Sequence, residues 1–350
     1  MLSKNEILSL LKTKEIPKDL LEEAYKVRKY YSGRYVFFRA LIEISNICQK
    51  ACFYCGVNRE NKNLKRYYIN LETLKKIFEK VKNLKYTSVA IQSGEIISKK
   101  HFEFLKKIVT LAKSKYNFEI TLSLGELPKK ILKDLFSLGA RRYLLRFEVA
   151  TPKRYYLYHY KDNLHSYENR IKTLYTLKEI GYQVGTGFLV GLPFDNPLNL
   201  YKDIRLIQKL KPDMIGIGPY IPQKYTKLFN LLEKGVKILN EKDRFFLNIK
   251  LIAIFRILLK TPNIVASTAL ITLGTKFFPL EEVLNFAFKA GANVIMPVFT
   301  PSKEKKLYAL YENKYFSEHE KFYDGTLKAS FIPVLERYGN PISYYIRNFK

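Results

Sequence analysis

Cys48, Cys52 and Cys55 lie in the run Cys48-Gln-Lys-Ala-Cys52-Phe-Tyr-Cys55, and they are all the cysteines of this 350-residue chain. A cubane 4Fe–4S cluster is normally held by four thiolates. With three, one iron keeps an open position, where a small molecule can bind and receive an electron. Zinc is the first competing reading. Structural zinc takes four closed ligands, and the fourth would be His101, His159, His165 or His319, none of them close to the triplet in sequence. A disulfide would leave one thiol over, and a lysine-rich chain whose N-terminus has no apolar signal core reads as intracellular. Chance clustering of buried cysteines is the third alternative. The arithmetic favours an iron–sulfur cluster that takes part in chemistry.

Such a loop needs a scaffold, and the chain punctuates itself regularly. Short β-branched or apolar runs alternate with longer amphipathic ones. Strands are predicted at Phe37–Ile44, Ser88–Gln92, Glu119–Leu124, Tyr143–Phe147, Gln183–Val190, Met214–Gly218, Ile264–Leu270 and Asn293–Met296. Helices are predicted at Leu71–Leu84, Lys99–Lys115, Lys129–Leu138, Tyr167–Ile180, Leu198–Leu210, Arg244–Leu259 and Leu280–Lys289. The alternation implies parallel strands joined by crossovers. The expected fold is α/β, a (β/α)8 TIM-type barrel, or an open barrel of six to seven units. A helical leader over 1–33, a barrel over 34–300 and a C-terminal extension over 301–350 are expected. Ser3 and Glu6 stand at capping-box spacing at the start of the leader.

The polar and glycine-bearing words then fall where a barrel builds its active site, after the strands. The cysteine loop follows the first strand. Gln92-Ser-Gly-Glu95, Gly125-Glu126, Arg146-Phe-Glu148, Gly191-Leu-Pro193, Gly218-Pro219, Ser267-Thr268 and Met296-Pro297 end the others. Each glycine alone signals only a turn; their joint placement carries the argument.

Bulk properties exclude little. No run of 18 apolar residues marks a membrane span. The formal net charge of +29 points to an anionic partner or to lysine on solvated helix faces, and its even spread favours the second reading. Nucleic acid is therefore not expected as a partner, and a cytoplasmic location is.

Cys-x3-Cys-x2-Cys with Tyr54 before the last cysteine resembles the signature of radical S-adenosylmethionine (SAM) enzymes. The runs Ile42–Cys48, Cys55–Arg66, Gln92–Glu95, Thr121–Glu126, Arg142–Arg146, Glu168–Arg170, Gly216–Pro222 and Gly291–Pro297 are similar to the HydE family of FeFe-hydrogenase maturases. Biotin synthase and methylornithine synthase are more distant relatives. The resemblance implies one 4Fe–4S cluster on Cys48, Cys52 and Cys55, with SAM bound to the open iron and split by an electron to a 5′-deoxyadenosyl radical. It implies SAM contacts from Tyr54, Gln92, Ser93, Glu95, Glu148, Arg170, Met214 and Ile221. It further implies that Arg142, Arg146, Ser267, Thr268, Tyr308 and Tyr311 hold a small anionic substrate, an iron–carbonyl–cyanide complex of cysteine. A ferredoxin or flavodoxin as reductant and other hydrogenase maturases as partners follow from the same family. From the residues alone, Met214 and Ile221 read equally as barrel core. Arg170 reads as a surface ion pair, Arg146 as a partner of Glu148 or Glu126, and Tyr308 with Tyr311 as one buried helix face.

The chain departs from the family at Val149, at Phe194-Asp195 and at Gln223-Lys-Tyr225, and it lacks C-terminal cysteines for a second cluster. These departures leave open an amino-acid mutase resembling methylornithine synthase, or a divergent paralogue with another anionic substrate. A non-catalytic iron–sulfur carrier and an RNA-modifying enzyme are the rivals from other classes.

Overall fold

The computed structural model describes residues 2–315 and 318–335. Eight parallel strands form the barrel. Strand β1 runs in two segments, Tyr35–Phe38 and Ala40–Ser45. The others are β2 (Ser88–Ser93), β3 (Glu119–Ser123), β4 (Ala140–Leu144), β5 (Gln183–Thr186), β6 (Met214–Ile215), β7 (Asn263–Ile264) and β8 (Val294–Ile295). The second segment of β1 through β7 form one continuous seven-stranded sheet in chain order. Strand β8 closes the ring. It pairs with the first segment of β1 through Phe37 and Val294, and the Asn293 N–H donates to the Ile264 carbonyl of β7 at 2.9 Å. A further strand, Ile332–Val334, lies parallel to the first segment of β1 on its other side.

The helices match the periodicity closely. Leu71–Asn83 starts at Asn70, whose side chain accepts the Thr73 N–H at 2.8 Å, and buries Leu74, Ile77, Phe78 and Val81. Those positions share one face at helical spacing. Its lysines, including Lys75, Lys76 and Lys80, are exposed, as a lysine-rich solvated face requires. The leader forms two helices, Lys4–Lys12 and Lys18–Ser32, separated at Pro17, and the Ser3–Glu6 capping box is present.

The main apolar core lies between sheet and helices rather than inside the ring. Val89, Ile91, Ile120, Leu122, Tyr143 and Val184 point outward into it. The alternate, inward positions carry Ala90, Gln92, Thr121, Ser123, Gly185 and Gly216, together with Leu144 and Met214, which belong to a smaller apolar cluster inside the ring. Small and polar residues there leave room within the barrel.

Four boundaries differ from expectation. Strand β4 begins three residues early, at Ala140, because the chain leaves the preceding helix through Gly139 at φ +113° and pairs at once. The expected fifth and sixth strands are each broken in two, and their outer pieces, Leu189–Val190 and Gly218–Pro219, pair with one another. The seventh ends at Ile264, since Ser267 caps a short helix, Thr268–Gly274. In the C-terminal extension His319–Lys328 is helical; 336–350 lies outside the described residues.

The loops after β4 and β5 are joined by one buried ion group. Arg154 meets both Asp203 oxygens at 2.9 Å and also pairs with Asp195. Asp203 in turn accepts the Ala150 N–H at 2.7 Å. Removing the cation would leave two carboxylates buried and unpaired, a change on the order of 3–5 kcal/mol. Arg154→Met should therefore lower unfolding stability by about that amount in denaturant titration, whereas a loss under about 1 kcal/mol would show these loops to be held by other means.

Candidate active site

The cysteine loop leaves the C-terminal end of β1 and is held from inside by side chains. Arg66 donates to the carbonyls of Asn46 at 2.7 Å and Val57 at 2.8 Å, and reaches those of Asn58 and Asn61 as well. One guanidinium thus gathers four points of the loop, a task suited to its rigid fork of donors. Asn46 adds bonds to the carbonyls of Lys65 at 2.9 Å and Leu307 at 2.8 Å, and accepts the Tyr67 N–H at 2.8 Å. Asn58 donates to the Cys55 carbonyl at 2.6 Å.

Two histidines pack beneath the loop, although they are distant in sequence. His165 Nε2 accepts the Ala51 N–H at 2.9 Å, and its Nδ1 lies 2.7 Å from Asp162. His159 Nδ1 lies 2.9 Å from the Tyr155 carbonyl, leaving Nε2 to accept from the Tyr54 hydroxyl at 3.1 Å. Burial depresses both rings, His159 to about 3, so they are neutral near pH 7. With both nitrogens engaged, neither is poised to complete a zinc site. Among the described residues no three His, Cys, Asp or Glu side chains converge as ligands of a single ion.

The thiols themselves are only partly covered. Burial raises all three, Cys52 to about 12 with help from the neighbouring Cys48. Backbone N–H groups of Lys50 and Glu95 approach Cys48 Sγ at 3.4 Å each, the donors a bound thiolate uses. Three thiols near enough to raise one another, with no histidine free to serve as a zinc-like fourth ligand, fit a cluster with an open iron.

Beside the thiols lies a buried charge ladder. Lys50 Nζ is 3.1 Å from Glu95 and 3.5 Å from Glu126. Glu95 accepts the Glu126 N–H at 2.8 Å. Arg170 Nε stands 2.7 Å from Glu126 Oε1. That last pair is close but not aligned: neither atom makes a hydrogen bond. A planar carboxylate from a ligand would satisfy the fork that Glu126 leaves unfilled. Burial lowers the Arg170 guanidinium, but Glu126, Tyr155, Glu95 and Tyr54 together outweigh it and hold it well above its ordinary value. Burial raises the Glu95 carboxyl, opposed by Arg170 and Lys50. The backbone shapes this pocket. Gly125, at φ +78°, leaves the space where a Cβ would lie 2.2 Å from Glu95 Oε2, and a Cβ on Gly94 would strike the Ile47 carbonyl at 2.2 Å.

The expected residues divide into groups. Tyr54, Glu95 and Arg170 meet around the cysteines as described, and Arg170 is a buried partner rather than a surface one. Gln92 points inward from β2, while Ser93 spends its hydroxyl on the Gly94 carbonyl at 2.6 Å. Glu148 sits at φ +67°, a costly conformation outside glycine, and pairs with Arg146 at 2.8 Å. The internal ion pair expected as the simpler reading of Arg146 is thus present, yet Arg146 Nε remains buried without a partner. Ile221 is buried in the loop beyond Gly218–Pro219. Ser267 and Thr268 open the short helix after β7, with Ser267 Oγ close against Gly218. Tyr308 and Tyr311 do not share a helix face, because the helix Ser302–Leu307 ends before them. Both lie on a strap that crosses the mouth, where the Gly56 N–H donates to the Leu310 carbonyl at 3.0 Å and Lys314 pairs with Glu43 of β1.

Arg142 and Met214 do not join this group. Arg142 lies toward the opposite end of the barrel, on Gln183 at 3.0 Å and Ser88 at 3.3 Å, both strand-opening residues. Met214 opens β6 and accepts from Arg39 at 3.1 Å. With Arg39 they line a separate cavity of about 450 Å³ at that end. Sequence reasoning gave no role to Lys50, Arg66 or Asn46, weighed Glu126 only as a partner of Arg146, and named His159 and His165 only as candidate zinc ligands. Lys50 and Glu126 stood inside quoted motifs; nothing marked the histidines as supports of the loop.

Comparison with known proteins agrees with this geometry. Residues 42–207 match the model of the Radical SAM superfamily. The chain is 37% identical over 335 residues to the [FeFe] hydrogenase maturase subunit HydE of Thermotoga maritima, covering 88% of each. Among solved structures, methylornithine synthase (PylB) superposes with a TM-score of 0.79 at 21% identity, covering 95% of this chain and 94% of the other. The FeFe-hydrogenase maturase HydG from Carboxydothermus hydrogenoformans gives 0.79 at 21%, covering 96% and 76%. At that identity the two structures speak to the barrel alone. Family membership makes the chain an enzyme whose cofactors are a 4Fe–4S cluster and SAM, and three cysteines are present. A barrel that carries Cys48, Cys52 and Cys55 on its first loop, and that aligns with HydE along most of its length, belongs to the radical SAM superfamily and, within it, to the HydE family.

Proposed function

We propose that this chain is a hydrogenase maturase of the HydE type, acting on a small anionic iron complex of cysteine in the assembly of the FeFe-hydrogenase active site. The observation that carries the reading is the pairing of the cysteine loop with Arg170 at one mouth of a barrel with small and polar residues at inward positions. When bound, the reduced cluster and SAM supply a 5′-deoxyadenosyl radical. Every other task falls to the chain.

Cys48, Cys52 and Cys55 hold the cluster, and Arg66 fixes their loop. Arg170 receives the SAM carboxylate, held in place by Glu126, while Glu95 and Glu148 offer negative charge to its ammonium group. Lys50 lies between Glu95 and Glu126 and offsets their negative charge inside the protein. Tyr54 and Ile221 flank the adenosine, and Gln92 and Ser93 border the methionine. Deeper in, Arg146 offers its unpartnered Nε to the anionic substrate, and Ser267 and Thr268 add hydroxyl donors. Tyr308 and Tyr311 cover the mouth and exclude water, which strengthens each of these charge interactions. Arg142 and Met214 are not assigned to either ligand.

The departures from the family gather around the same mouth. Asp195 is bound to Arg154, Val149 is fully buried beside that group, and Gln223 packs against Gly56 next to Cys55. They bear on which anion is accepted, not on the thiols or Arg170. The substrate is open to a direct test. SAM cleavage by the anaerobically reconstituted enzyme should rise when a synthetic iron–dicarbonyl–cyanide–cysteine complex is added. Cleavage indifferent to the complex would assign the substrate elsewhere.

Arg170 is the sharpest single test of the SAM site. Losing a buried, charge-assisted pair costs about 1.5–3 kcal/mol, so Arg170→Gln should weaken SAM binding at least roughly tenfold in equilibrium dialysis. Iron content should stay unchanged, and Arg170→Lys should recover only part of the affinity because it lacks the fork. Unaltered SAM affinity in Arg170→Gln would remove this residue from the site.

A further inference from the structure

The site described above leaves unused the outer face of the protein beside Cys48. A groove of about 580 Å³ lies there, with Ile47, Tyr68, Ile96 and Phe104 on its floor and Lys100 and Lys107 at its edge. Ile47 and Tyr68 are 37% and 39% exposed, and the neighbouring Ile97 is 41% exposed. Large apolar side chains scattered singly over a surface are ordinary, but several side by side mark a contact surface. The floor is firm. Tyr68 is fixed by its hydroxyl on His101 Nδ1 at 2.6 Å, and its ring leans on Phe104 at 5.0 Å.

The groove is also joined to the thiol by the shortest available routes. Ile47 is bonded to Cys48. Ile96 is bonded to Glu95, whose N–H approaches Cys48 Sγ at 3.4 Å. The Ile47 carbonyl lies so close to Gly94 that a Cβ there would come within 2.2 Å, so the two routes are packed together. Its rim is positive. Lys99, Lys100 and Lys107 are exposed, and among the described residues none has a carboxylate within ion-pair distance. The acidic side chain of the groove, Glu103, is already engaged by Lys106 at 3.3 Å. A second copy of this chain would bring the same strong positive charge, +29 overall, and be repelled.

We propose that this groove is the docking face for a small acidic one-electron carrier, an inference that rests on the cluster assignment above. Redox encounters of this kind use small contact areas and are steered by charge. The carrier is oxidised by one electron and the cluster reduced by one; no atom or proton is exchanged between them.

The test compares the reconstituted enzyme with its Lys100→Glu/Lys107→Glu variant, using a purified flavodoxin as the acidic carrier. Calorimetry at low ionic strength reads the affinity, and 5′-deoxyadenosine formation is driven either by reduced flavodoxin or by dithionite. The double variant should bind flavodoxin roughly tenfold more weakly or worse. Its flavodoxin-driven rate should fall in step, while its dithionite-driven rate stays the same. Lys75→Glu/Lys82→Glu, on another face, should behave as the unsubstituted enzyme. Equal affinity and rate in the Lys100/Lys107 variant would overturn the proposal, as would a change in its oligomeric state, which would give the groove to a second copy. Failure of the unsubstituted enzyme to cleave SAM with dithionite would strike instead at the reading of the active site, and the calorimetry would still judge the groove.

Discussion

Four buried charges govern how this barrel mouth is built. Lys50 comes from the cysteine loop, Glu95 from the end of β2, Glu126 from the end of β3 and Arg170 from the helix Tyr167–Ile180. None is stable alone in the interior, because an unpaired buried charge is costly. Together they bind four separate elements into one frame, and the cysteine loop is a member of it. The glycines at 94 and 125 follow from the frame: each removes a side chain that would collide with one of its parts. So does the slack between Arg170 and Glu126, whose close atoms are not aligned as a hydrogen bond. A frame complete in charge but incomplete in hydrogen bonds is prepared for a charged ligand.

Around that frame the structure stacks further constraints. Arg66 sets the path of the cysteine loop through carbonyls, and His159 and His165 support it through neutral rings. Arg154 ties together the loops after β4 and β5. The strap through Tyr308 and Lys314 closes over them by pairing with Glu43. Inward positions such as Ala90, Thr121, Ser123, Gly185 and Gly216 are small, so part of the enclosed space is left to substrate, while Leu144 and Met214 fill another part.

Much of this was legible in the sequence. Helices with a clear apolar stripe, such as Leu71–Asn83 and Lys99–Ser114, were placed within a residue, because periodicity and an N-cap mark both their face and their start. The cysteine spacing declared its cofactor. Strand ends were less legible: Ile264–Leu270 reads as a strand by composition, yet Ser267 can cap a helix, and the cap prevailed. Arg142 was placed with the substrate through the family alone; its position before or early in β4 already puts it toward the strand-opening end, where it bonds Gln183. The support from His159 and His165 could not be read at all, since it arises from contacts more than a hundred residues apart with no local pattern. Arg170 was legible only through the family, because a single arginine on a helix gives no sign of the Glu126 waiting beneath it.

The central claim is that three cysteines hold one cluster with an iron left for SAM. Electron paramagnetic resonance on the dithionite-reduced, reconstituted protein, recorded before and after SAM is added and alongside an iron count, tests it most directly. The account predicts the signal of one 4Fe–4S cluster whose line shape changes on SAM addition, and its loss when any one of Cys48, Cys52 or Cys55 is replaced by alanine. A cluster signal that SAM leaves untouched, or that survives the loss of one of these cysteines, would contradict it.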